Sequence, residues 1–73
     1  MSIGERAAWA IREMAEMRNV TTKVECERLG TTRKTFGDWL KRGLDPSAYY
    51  LQQMALAGYD VMWILTGGSN DCK

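Results

Sequence analysis

The stretch Thr21–Gly43, TTKVECERLGTTRKTFGDWLKRG, decides how this chain is read. It holds two short amphipathic segments separated by Gly30. The first is predicted to run from about Thr22, as its cap, to Leu29, and to bury Val24, Cys26 and Leu29. Gly30 then supplies a sharp turn, where a positive φ or a close backbone approach is expected. The second segment is capped by Thr32 and runs to about Lys41, with Phe36, Trp39 and Leu40 at helical spacing on its inner face. Gly43 ends it. Two helices joined by so tight a turn have the layout of a helix-turn-helix, residues 22–42.

Outward from this unit the pattern stays helical. Ser2 and Glu5 have capping-box spacing and open a first helix, in which Ala7, Ile11 and Met14 share a face. Asn19 is suited to the left-handed conformation that ends it, and Val20 to the core contact that follows. Asp45-Pro46-Ser47 opens a fourth helix, with proline where a missing N–H costs least and Leu51, Met54 and Ala55 facing inward. Asp60 caps a short fifth helix, Val61 to Leu65, closed by Thr66-Gly67-Gly68. No segment alternates with period two. The expectation is a single all-α domain of five helices over residues 1–68, with residues 69–73 a frayed tail.

Composition narrows the function classes. The chain has 73 residues, of which 45% are hydrophobic, enough for one small core and too many for a disordered chain. No apolar run approaches the roughly 20 residues that span a bilayer, and no signal peptide pattern opens the chain, so a cytoplasmic location is expected. Cys26 and Cys72 have neither CxxC spacing nor a histidine partner, so no metal or disulfide framework is implied, and Cys26 reads as a small core residue. Without histidine, a nucleophile motif, a phosphate-cradling loop or paired carboxylates, an enzyme is the weakest reading; no cofactor and no small-molecule substrate are expected.

The net charge of +1 hides an asymmetry. From Arg18 to Arg42 seven basic residues (Arg18, Lys23, Arg28, Arg33, Lys34, Lys41, Arg42) face three acids, a net +4. Elsewhere three basic residues face six acids, a net −3. A molecule so polarised can turn one face toward phosphate. Arg33 and Lys34 are the first long side chains of the third helix, from which such a helix reaches base edges; arginine pairs bidentately with guanine. Thr35 or Gly37 allows close approach, and Thr35 can touch a thymine methyl. Thr22, Lys23, Thr32, Lys41 and Arg42 are better read as phosphate contacts, which fix register without specifying sequence.

Three groups of residues resemble the small five-helix DNA-binding domains of lambdoid phage repressors and Cro proteins. They are Leu29–Phe36 with Trp39 and Arg42-Gly43, Pro46-Ser47 leading into Leu51 and Met54-Ala55, and Asp60–Gly67. The last is similar to the family's closing helix. The chain departs from the family in an extra turn before Ala7, a loop after Trp39 one residue longer, and Asp38 at a position where a polar reader is usual. Asp38 either accepts from a cytosine amine, holds a neighbouring arginine, or is a bare surface carboxylate. The resemblance implies a transcriptional regulator, a repressor that binds double-stranded DNA at a (pseudo)palindromic operator as a homodimer. Tyr59, Met62, Ile64 and Leu65 are the expected dimer surface, and the chain is either Cro-like or the amino-terminal piece of a longer repressor cut near Ser69. Trp39, Trp63 and Phe36 read as core. Trp9, on the polar side of the first helix, either covers an end of the core or meets a partner. The alternative function is a protein-interaction module, an antitoxin or polymerase-binding factor docking through Trp9 and its acidic neighbours.

Overall fold

The computed structural model describes residues 1–68, so the expected tail at 69–73 and Cys72 lie outside it. Five helices follow in order: α1 (Ile3–Arg18), α2 (Thr22–Arg28), α3 (Arg33–Lys41), α4 (Ala48–Leu56) and α5 (Val61–Thr66). No strand occurs among the described residues. The Cα radius of gyration, 11.4 Å, matches the value of about 11 Å for a compact domain of this size.

α1 is the central element: α2, α3 and α5 all pack on it, while the backbone of α4 approaches only α5. Its capping box is complete, with the Glu5 amide donating to Ser2 Oγ at 3.1 Å and the Ser2 amide donating to Glu5 Oε1 at 2.8 Å. The backbone hydrogen bond from Ser2 holds the Glu5 carboxyl below its ordinary value. Asn19 ends the helix at φ 60°, as its residue type leads one to expect. The buried residues of α1 are small apart from Ile11, namely Gly4, Ala7, Ala8 and Ala15, which lets three helices come close. Gly4 is the tightest point. A Cβ there would overlap the Leu44 carbonyl oxygen and lie 3.1 Å from that of Trp39.

Several expectations are corrected. The cap of α2 is Thr21, whose Oγ1 accepts from the Val24 amide at 3.2 Å; Thr22 is the first helical residue. The inward stripe of α2 is Thr22, Glu25, Cys26 and Leu29, with i, i+3, i+4, i+7 spacing, and Val24 falls off it, 46% exposed. Val20 is likewise exposed, although its amide donates to Ala15 as the turn requires. In α4, Pro46 is buried ahead of the Ser47 cap instead of opening the helix, and Ser47 makes no side-chain cap bond. Its inner face is Met54, with Leu51 and Tyr50 half-buried and the Tyr50 ring edge-on to Trp39 at 5.5 Å. Ala55 is exposed because it lies beyond the edge of that face.

Glu25 is the unexpected core residue, completely buried. Tyr59 donates its hydroxyl to Glu25 Oε2 at 2.5 Å, and the guanidinium nitrogens of Arg18 and Arg28 stand 3.6 and 3.8 Å from Oε1. Arg18 also donates to the Ala57 carbonyl at 3.2 Å. Burial, and then the bond to Glu25, push the Tyr59 hydroxyl far above its usual ionisation range. This network ties the end of α1 to α2 and to the α4–α5 corner. At the other end of the molecule Arg6 donates to the Ile64 and Leu65 carbonyls at 2.8 and 3.2 Å. It thereby satisfies C-terminal acceptors that α5 cannot pair itself.

α5 is capped by Asp60, whose Oδ1 accepts from the Trp63 amide at 3.1 Å. Its packing corrects the expected dimer surface. Tyr59 and Ile64 are buried in the core: the Tyr59 hydroxyl is held by Glu25 and only a ring edge reaches the surface, while Ile64 is fully enclosed, so neither can be a main element of a dimer surface. Met62 and Leu65, 47% and 40% exposed, remain available. Trp39 is buried, whereas Phe36 and Trp63 are half-buried against the core. Trp9 covers Trp63 with ring centroids 5.8 Å apart, which agrees with the first of its two readings.

Candidate nucleic-acid interface

The capped start of α3 fixes the site. Thr32 Oγ1 accepts from the Thr35 amide at 3.1 Å and lies 3.0 Å from Thr35 Oγ1. The Thr32 hydroxyl, which donates to Thr35, is thereby committed to the turn; Thr35 is half-buried, and its hydroxyl proton and its methyl are both able to meet a ligand. Arg33 and Lys34 follow as the first two helical residues and are exposed. Asp38 sits 3.7 Å from an Arg42 guanidinium nitrogen one turn on, the geometry in which the acid holds a neighbouring arginine. Arg42 itself is exposed.

Beside α3 runs an open groove of about 630 Å³. One wall carries Arg12 of α1 and Thr21, Thr22 and Lys23 at the start of α2. The other carries Arg33, Gly37 and Lys41 of α3, over a floor of Phe36 and Leu40. Four cations line this groove and no acid does. Of the expected contact residues it gathers Thr22, Lys23, Arg33 and Lys41. Lys34, Thr35 and Asp38 lie on α3 outside it, Arg42 caps the end of α3, and Thr32 lines a smaller cleft of about 240 Å³ with Lys23, Glu27 and Arg33. Cys26 forms the base of that cleft, where burial raises its thiol pKa and Arg33 opposes the rise.

Sequence reasoning missed Arg12 and Thr21. Arg12 stands next to Glu13 and near Glu16, on the polar side of the first helix. Its position next to Ile11 places it at the edge of the buried stripe, but which helix lies beyond that edge is a matter of tertiary packing. Thr21 carried a usable signal: with Thr22 beside it, either hydroxyl fits the cap.

A second, apolar groove of about 260 Å³ lies on the α1–α5 side, with Trp9, Ala10, Met14, Met17 and Trp63 between Glu13 and Asp60. Among the described residues no three His, Cys, Asp or Glu side chains cluster as metal ligands would, and no helix is long and apolar enough to cross a membrane. The chain matches no protein-family model, no curated protein and no solved structure at a significant level.

Proposed function

We propose that this protein is a sequence-specific DNA-binding regulator of the helix-turn-helix type, which lays α3 in the major groove and braces the start of α2 on the backbone. The observation that carries this reading is the groove of four cations and no acid, the exposed Arg33 among them, with the exposed Lys34 next to it on α3. A phosphate backbone is the polyanion such a surface suits, and the first turn of a helix is the part that reaches base edges. The mode of action in this proposal is promoter blocking. A single half-site buries too little surface for biological specificity, so the active species is a homodimer on a (pseudo)palindrome. Of the expected interface residues, Met62 and Leu65 remain exposed to build it. No cofactor, small-molecule substrate or catalytic step belongs to this reading.

Selection of duplexes from a random library at two salt concentrations tests it. Enrichment of an inverted repeat supports the proposal, and enrichment of nothing removes it. With the selected duplex, Arg33→Ala is expected to relax preference at one base pair, losing about 1–3 kcal/mol of discrimination. Lys41→Ala is expected to weaken all sequences alike and to flatten the dependence of log affinity on log salt by about 1. An Arg33→Ala protein with unchanged preference would show that α3 does not read bases through its first residue.

The protein-interaction reading has an observation of its own in the apolar groove around Trp9, Met17 and Trp63. A partner docking there would bind without the steep salt dependence that phosphate contacts impose.

A further inference from the structure

Two glycines lie inside helices, and only one of them serves the fold. Gly4 is required by the Leu44 and Trp39 backbones. Gly30, Gly43, Gly58 and Gly67 occupy positive φ and end or turn the chain. Gly37 does neither: it sits in mid-α3, and a Cβ built there would meet nothing within 4 Å. Glycine at such a place weakens a helix relative to alanine, and nothing inside the molecule compensates.

The surroundings of Gly37 point to something outside the molecule. Its helical neighbours at i−4, i−3 and i+4 are Arg33, Lys34 and Lys41. Arg12 and Lys23 face it from the other wall of the groove. A residue with no side chain cannot read a base edge, and a ring of cations favours an anion. We propose that a backbone phosphate of the DNA duplex seats over Gly37, the point where the duplex comes closest to α3, and that Arg12 clamps this phosphate from the α1 wall. This rests on the DNA-binding reading above and adds to it a steric gap and a contact from outside residues 22–42.

The test pairs stability with binding. Gly37→Ala and Arg12→Ala are compared with the unchanged protein by thermal unfolding and by anisotropy titration of the selected duplex at several salt concentrations. Gly37→Ala is expected to raise Tm by about 2–8 °C, and to weaken binding tenfold or more while base preference stays the same. Arg12→Ala is expected to leave Tm nearly unchanged and to reduce the salt slope by about 1. A Gly37→Ala protein that is more stable and binds equally well overturns the phosphate seat. One that is less stable also overturns it, because the glycine then serves the fold. An unaltered salt slope in Arg12→Ala overturns the clamp. If the unchanged protein binds no duplex even at low salt, the DNA reading itself fails, a result distinct from these.

Discussion

Gly4→Ala is expected to lower the stability of the domain by about 3 kcal/mol or more, although the same exchange in an ordinary helix gains up to about 1 kcal/mol. The reversal follows from what the added methyl meets. Its neighbours are the Leu44 and Trp39 carbonyl groups, backbone atoms that cannot swing aside as a long side chain can. To admit it, the first turn of α1 must lift away from the end of α3 and the loop after it. That motion also strains the Ser2–Glu5 capping box. A chain of this length has a total stability of about 4–11 kcal/mol, so the variant loses a large part of it. Thermal unfolding is expected to show Tm lower by about 12 °C or more. An unchanged Tm would mean that α1 does not seat against Leu44 as described.

Glu25→Ala is expected to cost about 2–4 kcal/mol, somewhat below the 3–5 kcal/mol typical of breaking a fully buried ion pair. The discount reflects the partners: the side chains of Arg18 and Arg28 are 31% and 50% exposed and can regain water. Tyr59 cannot, and its buried hydroxyl loses its acceptor. The loss measures what happens when one partner is removed, which differs from the net worth of the network. Replacing Arg18, Glu25 and Tyr59 together with Met, Met and Phe is therefore expected to recover most of the loss in urea unfolding. If the triple variant were as unstable as Glu25→Ala, the carboxylate would be stabilising in its own right.

The contrast between these residues shows how far the sequence could be read. Caps and stops were legible because they are local: Ser2 with Glu5, Asn19, Thr32 and Asp60 each act within one turn of their own backbone. The number, order and approximate bounds of the five helices followed from them. The inward face of α2 was not legible. A seven-residue helix has too few positions to fix its phase, and a valine seems a better core residue than a glutamate until Tyr59, 34 residues away, is seen to meet it. The same limit governed the groove beside α3. Arg33 and Lys41 could be placed on one face of the groove because they belong to one helix with a defined start. Arg12 could not, since its membership in the groove depends on how α1 packs beside α2 and α3. Ile64, and Tyr59 just ahead of the helix, were misplaced because an apolar closing segment has the same composition whether it faces a partner or the core.

The groove beside α3 is assembled from three separated segments: Arg12, Thr21–Lys23, and Arg33–Lys41. An isolated α2–α3 peptide therefore lacks Arg12 from one wall, and the unfolded chain lacks the site altogether. Any ligand that needs all three segments binds the native state alone, and by mass action it adds about 2.7 kcal/mol to folding when present at a hundred times its dissociation constant. For a domain with so small a margin, occupancy and survival are then linked quantities: a molecule seated on its ligand opens less often, and is less often cut by proteases, than one left free.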